Sequence, residues 1–183
     1  GSNSGHVRIY ENIGGSWIQI GQDIDGESSD DWSGYSVSLS NNGNIVAIGA
    51  PYNDGNGSSS GHVRVYENIG GSWFQIGQNM EGGFGQQFGW STDLNHNGNT
   101  IVIGAIWGSS TGYAEIWNYN GTSWNQISTI NGQVSGDYCG YSVSINSIGN
   151  IVAVGASLND ANGQSNSGNV RVFENINGSF IQI

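Results

Sequence analysis

Fourteen acidic side chains stand against three arginines and no lysine, for a net charge of −11. Any chemistry must be drawn from that set. Nine of the acids fall between apolar runs: Asp23, Asp25, Glu27, Asp30, Asp31, Asp54, Glu81, Asp137 and Asp160. Carboxylates so placed can receive a partner or a cation, or they can simply keep a protein solvated in salty water; both readings stand. There is no basic stripe for nucleic acid or an anionic membrane, and without lysine there is no Schiff-base or isopeptide chemistry. Cys139 is the single cysteine, so it forms no internal disulfide and reads as a buried thiol. No Ser-His-Asp order, metal-ligand cluster or paired buried carboxylates stand out, and the chain is expected not to be an enzyme. Trp107 is the best candidate for stacking on a ligand, although Tyr52 and Leu158 occupy its place elsewhere and favour packing at a rim.

The elements that hold these residues are short strands. Tyr35-Ser36-Val37-Ser38-Leu39-Ser40 alternates large with small polar residues, the period of a half-buried strand. Asn41-Asn42-Gly43-Asn44 supplies the residues that tolerate positive φ in a tight hairpin. Ile45-Val46-Ala47-Ile48 is apolar without alternation, as in a strand covered on both faces. After a polar loop, His62-Val63-Arg64-Val65-Tyr66 alternates again, and Ile69-Gly70-Gly71-Ser72 turns the chain into Trp73-Phe74-Gln75-Ile76. Four antiparallel strands result. Glycine is abundant (32) and proline nearly absent (1), and no helical apolar period persists.

This unit recurs about every fifty residues. GHVRIYENIGGSWIQIGQ from Gly5 returns as GHVRVYENIGGSWFQIGQ from Gly61, more loosely from Gly112, and as GNVRVFENINGSFIQI from Gly168. The leading hairpin returns at Gly89 and Gly140. The order is a third-and-fourth-strand pair followed by three complete sets. Four-stranded repeats of this length are propeller blades, which bury both faces against neighbours. The expected organisation is a half blade with its connecting loop at 1–32 and blades at 33–87, 88–137 and 138–183, an all-β partial propeller of about three and a half blades. His6 and His62 align with Tyr113 and Asn169 and so mark a variable strand start. Trp17, Trp73, Trp124 and Phe180 share one place, where a ring seals the blade. Arg8, Arg64 and Arg171 share another and are expected to pair with acids on neighbouring blades.

Phe88-Gly89 at the start of one blade and Gly49-Ala50-Pro51 at the end of a strand in another resemble the FG-GAP repeats of integrin-type β-propellers. The resemblance covers essentially the whole chain and extends to tandem repeats in large secreted or surface proteins of marine microbes. It implies a secreted or cell-surface, non-catalytic recognition or adhesion module whose ligand is a protein or a glycan. The alternative is an assembly unit of a fibre or surface layer whose blades are completed by another chain. The family also implies calcium in the leading hairpin, held by a D-x-D-x-D-G loop. Ser38, Ser40 and Asn42 offer no carboxylate, nor do Ser144, Asn146 and Ile148; only Asp93, Asn95 and Asn97 keep a D-x-N-x-N-G pattern. Calcium, if bound, belongs there.

Strand parity places the loops that carry Asp23, Asp25, Asp30, Asp31, Asp54 and Asp160 on one face of the array. With all three arginines in strands, that face is expected to be acidic without compensation and to be where a partner docks. No apolar run can cross a bilayer, so membrane insertion is not expected. The N-terminus lacks signal-peptide features, so the chain reads as a mature or excised portion. Three and a half blades do not sum to a closed ring, so further blades from a longer parent chain, or self-association, are expected.

Overall fold

The structure is a computed structural model and describes residues 2–183, with only the backbone considered at Asn162. Its strands follow the repeat. The N-terminal half blade contains β1 (His6–Val7), β2 (Tyr10–Ile13), β3 (Ser16–Gln19) and β4 (Ile24–Asp25), with β1 pairing β4 and β2 pairing β3. The first full blade is β5 (Ser36–Leu39), β6 (Ile45–Ala50), β7 (His62–Ile69) and β8 (Ser72–Gln75), in that order across the sheet, and β9 (Met80–Glu81) continues the outer edge along β7. The second is β10 (Phe88–Leu94), β11 (Thr100–Ala105), β12 (Tyr113–Tyr119) and β13 (Trp124–Asn131). The third is β14 (Cys139–Ile145), β15 (Ile151–Ala156), β16 (Asn169–Ile176) and β17 (Ser179–Gln182). All ladders in these sheets are antiparallel, and the fold is a partial β-propeller.

The core lies between blades rather than within them, since a single sheet has no inside. Val7, Ile9 and Ile24 of the half blade pack on Val46, Ile48, Tyr66 and Trp73 of the first blade. Ala47, Val63, Val65 and Met80 from that blade's other face meet Phe88, Leu94, Ile101, Ile103 and Trp124. Val102, Ala114 and Ile116 then meet Cys139, Ile145, Val152, Val154 and Phe173. The unalternated second strand follows from this: β6 and β11 are central and are sandwiched on both faces, and β15 is central in its sheet and covered on the face it turns to the second blade. Each buried aliphatic side chain contributes about 1.5–3 kcal/mol, so these layers outweigh the individual loop hydrogen bonds, at about 1 kcal/mol each.

A Gly-Gln pair after the last strand locks one blade to the next. Trp73 Nε1 donates to the Ile20 carbonyl (2.9 Å) and Trp124 Nε1 to that of Ile76 (3.1 Å). Gln22 then clasps the backbone of Trp73 from both sides (2.7 and 3.1 Å), as Gln78 clasps that of Trp124 (2.6 and 3.0 Å). The glycines beside them are needed because a Cβ on Gly21 or Gly77 would press on the indole, 2.6 Å from its Cδ1 in either case. Trp17, their counterpart in the half blade, is 69% exposed.

Candidate functional site

The loops entering each blade and those joining its second and third strands come together, and the residues that join them repeat. Asp31 Oδ2 accepts from the Ser28 amide (2.9 Å) and from Asn53 Nδ2 (2.9 Å). Asp137 Oδ2 accepts from the Val134 amide (2.8 Å) and Asn159 Nδ2 (2.9 Å). In the second blade Gln86 takes this place, with its Oε1 bound by the Gly83 amide and the Tyr113 hydroxyl, each at 2.7 Å. Asp31 and Asp137 are each only 3% exposed, so they are loop clamps and present no carboxylate to a partner. This corrects the placement of Asp31 among docking residues.

The residue after each clamp, Trp32, Gln87 or Tyr138, has a left-handed backbone (φ 56°, 54° and 55°). That conformation is costly for a bulky side chain, and its recurrence shows that the clamp imposes it. Trp32 lies on Tyr52, with ring centroids 4.6 Å apart, and Tyr138 lies edge-on to Trp107 at the same distance. Tyr35, Trp90 and Tyr141, all at the start of the innermost strand, continue the line. Centroid separations are 6.1 Å for Trp32–Tyr35, 4.6 Å for Tyr35–Trp90 and 5.8 Å for Trp90–Tyr141. Five rings thus run across three blades, and Trp32, Tyr35 and Tyr141 remain between 42 and 46% exposed. Burial and the neighbouring tyrosines push the Tyr35 phenol up. Trp107 is exposed and sits beside this row in its own pair with Tyr138.

The remaining acids divide by what holds them. Asp30, Asp54 and Asp160 are exposed; Asp30 accepts from Asn3 Nδ2 (2.8 Å), while Asp54 and Asp160 each cap their own loop, through the Ser59 amide (2.7 Å) and the Asn166 amide (2.8 Å). Asp23 is bound by the Arg8 guanidinium through both oxygens (2.7–2.9 Å) and by Gln19. Those bonds lower its carboxyl to about 2. Arg64, nearly buried, points Nη1 at Glu27 (3.4 Å) and donates from Nη2 to the Asp25 carbonyl (2.8 Å), leaving the Asp25 side chain exposed. Two arginines therefore reach the acidic linker, because β1 and β7 run alongside it, and the expectation of uncompensated charge is corrected there. Arg171 differs from the expected ion pair: Nη2 donates to the Asn131 carbonyl (2.6 Å) and lies 3.3 Å from Cys139 Sγ. Cys139 is fully buried, and burial pushes its thiol up.

The pattern at Asp93, Asn95 and Asn97 is engaged otherwise. Asp93 Oδ1 accepts from the Ser38 hydroxyl (3.2 Å), and Oδ2 accepts from the Ser144 hydroxyl (3.2 Å) and the Ile145 amide (2.9 Å). One carboxylate thus joins the innermost strands of three blades. Asn95 Oδ1 accepts the Asn99 and Thr100 amides (3.1 and 3.0 Å), while Asn97 is exposed. A cation would have to displace N–H and O–H donors from two of the three ligands, so these residues fit a turn and an inter-blade clasp rather than a chelate. Among the described residues no group of three acidic, histidine or cysteine side chains could hold a metal ion.

Sheets of this order, stacked face to face and clasped at each joint, define an array of β-propeller blades. The model of the FG-GAP repeat family matches residues 23–66 and 124–173, just over half of the sequence, and the chain belongs to that family. FG-GAP repeats typically occur in extracellular or surface proteins, and the family match suggests a β-propeller module of the adhesion type. No curated protein matches its sequence. Among solved structures it is similar to a putative 6-phosphogluconolactonase from Bacteroides uniformis, with a TM-score of 0.65 and 11% identity over 98% of this chain and 47% of that one. A second, from Bacteroides fragilis, gives 0.59 and 12% over 86% and 39%. The chain spans less than half the length of either. These likenesses show the fold alone, yet they overturn the expectation that the chain is not an enzyme: the blade arrangement is shared with chains named as lactonases and gives no ground for excluding catalysis. Among the described residues no helix is long and apolar enough to cross a membrane.

Proposed function

We propose that the chain is a recognition module of a secreted or cell-surface protein, binding a protein or glycan ligand through the face that carries the aromatic row. The observation behind this reading is the row itself. Trp32 is held outward on the left-handed backbone that recurs at every blade entry, and Tyr35, Trp90 and Tyr141 continue the row from the starts of the innermost strands. Tyrosine and tryptophan combine an apolar ring with a polar tip and dominate the energetics of interfaces. Asp30 and Asp54, exposed in the same loops, supply acceptors for the hydroxyls or amines of a ligand. Asp25, Asp160 and Trp107 stand on the same loop set as its periphery.

A glycan array and an array of extracellular protein domains, probed with the wild-type chain and with a Tyr35→Ser, Tyr141→Ser double variant, test the reading. Binding by the wild type and a loss of about tenfold or more in the variant are expected for anchors of this kind. A ligand bound equally well by both would place recognition elsewhere.

A further inference from the structure

The rings of the aromatic row are tilted against one another. Trp32 meets Tyr52 at an interplanar angle of 58°, Tyr35 meets Trp90 at 49° and Trp90 meets Tyr141 at 48°, with centroids 4.6, 4.6 and 5.8 Å apart. Rings set in this way leave wedges between them, and one group lodged in a wedge lies against two side chains at once. An aromatic face is electron-rich and attracts a cation within about 6 Å of its centroid. The chain already makes such contacts internally: the guanidinium carbon of Arg64 stands 5.6 Å from the Tyr66 centroid and that of Arg171 stands 5.4 Å from the Phe173 centroid.

The loops that carry the row bear charge of one sign. Asp30 lies two residues before Trp32 and Asp54 two residues after Tyr52, so each of the two loops that build the first wedge brings an exposed carboxylate. Glu81, also exposed, lies beside Gly55 in the loop of Asp54, where a Cβ would come 3.3 Å from its Oε1. Phe84, 79% exposed, rests its ring on Gly57 of the same loop. The arginines are engaged elsewhere: Arg8 is held by Asp23, the Arg64 side chain is 7% exposed and turned to Glu27 and the Asp25 carbonyl, and Arg171 donates to the Asn131 carbonyl.

We infer that the aromatic row takes a basic protein segment, whose arginine or lysine side chains seat their cations in the wedges with Asp30, Asp54 and Glu81 as counter-charges. This rests on the reading of the row as the recognition surface and fixes the class of its ligand. Charge complementarity selects the occupant. A sulfated, phosphorylated or uronic-acid glycan meets like charge on a chain of net charge −11, and a neutral glycan gains nothing from the carboxylates. A guanidinium gains twice, by stacking on a ring and by pairing with a carboxylate. Phe84 offers apolar surface for the alkyl stems of such side chains.

The probe is a synthetic peptide of about twelve residues alternating arginine with serine, titrated at physiological ionic strength into the isotope-labelled chain and followed by NMR. The control peptide carries citrulline, the uncharged isostere, in place of arginine. Saturable shifts around 32, 35, 52, 90 and 141 are expected with the arginine peptide, and an affinity about tenfold or more lower with citrulline. Tyr35→Ser with Tyr141→Ser should weaken binding about tenfold. Asp30→Asn with Asp54→Asn, which are isosteric, should weaken it about three- to tenfold. Glu11→Gln with Glu67→Gln removes as much charge beside the opposite turns and should leave affinity within about twofold. Absence of saturable shifts, equal binding of the two peptides, or equal losses in the two acid pairs would overturn the inference, the last by showing attraction to net charge alone. A neutral or anionic ligand found on the arrays and lost in the tyrosine variant would overturn it too, yet leave the recognition reading intact. A basic peptide bound through Asp30 and Asp54 but indifferent to both tyrosines would overturn both.

Discussion

Replacing Asp93 separates two accounts of the leading hairpin, a calcium loop and an inter-blade clasp. Asp93→Ala removes the acceptor for three donors, the Ser38 and Ser144 hydroxyls and the Ile145 amide. The hydroxyls can turn to water, but the amide belongs to a buried strand position and is left without its partner, at about 1–3 kcal/mol. Charge-assisted bonds are worth about 1.5–3 kcal/mol each when intact, and relief of the carboxylate's own desolvation offsets part of that loss. The net expectation is a destabilisation of about 2–3 kcal/mol, or roughly 5–10 °C in Tm for a chain of this size. Asp93→Asn keeps an acceptor for the Ile145 amide and should cost about half as much. Thermal melts of the wild type and both variants, each with calcium and with a chelator, provide the assay. The clasp requires the same deficit in both conditions. If Asp93→Ala melted within about 1 °C of the wild type without calcium, or if calcium stabilised the wild type and the mutation removed that increment, the reasoning would be refuted.

Further outcomes follow from the joints and from the titrating groups. Gly104→Ala should destabilise by several kcal/mol, because its methyl meets the Gly140 carbonyl, and Gln78→Ala by about 1–2 kcal/mol through loss of both bonds to the Trp124 backbone; urea titration reads either. Gln87→Gly should leave stability unchanged or raise it by up to about 1 kcal/mol, since relief of the left-handed strain outweighs the added chain entropy. Burial raises the Glu115 carboxyl against the opposing bond from Trp117. Its contribution is present in full below the unfolded pKa and is lost as pH rises through the folded one, so Glu115→Gln should gain on the wild type as pH rises above the ordinary carboxylate range in denaturation curves taken at successive pH values. Asp23 has the opposite sign: Arg8 lowers it to about 2, so its small, exposed contribution persists above the ordinary carboxylate range and fades only as pH falls toward that value.

The blades were legible because their cause is local and repeated. Period-two alternation marks β5, an unbroken apolar run marks β6, and Asn-Gly turns mark the hairpins, so aligning the copies gave the order of strands. The site was less legible, and the reasons are geometric. Asp30 and Asp31 are adjacent and chemically identical, yet one is exposed and the other is a buried clamp, a difference set by a hydrogen bond from Asn53, twenty-two positions away. Arg8 and Arg64 looked remote from the acidic linker because neither the pairing of β1 with β4 nor the approach of β7 to that linker is implied by any of these segments alone. Tyr35, Trp90 and Tyr141 could have been found, since an aromatic follows the leading glycine in every complete blade. Trp32 and Tyr138 could not, because nothing in their sequence announces a left-handed backbone at an aromatic residue.

The direct measurement is a hydrogen-exchange footprint of the chain with a ligand selected on the arrays. The account expects protection in the loops around 30–36, 51–60, 87–91 and 137–142, the segments that carry the aromatic row and its clamps. Protection confined to the opposite turns, around 12–15, 41–44 and 68–71, would contradict it.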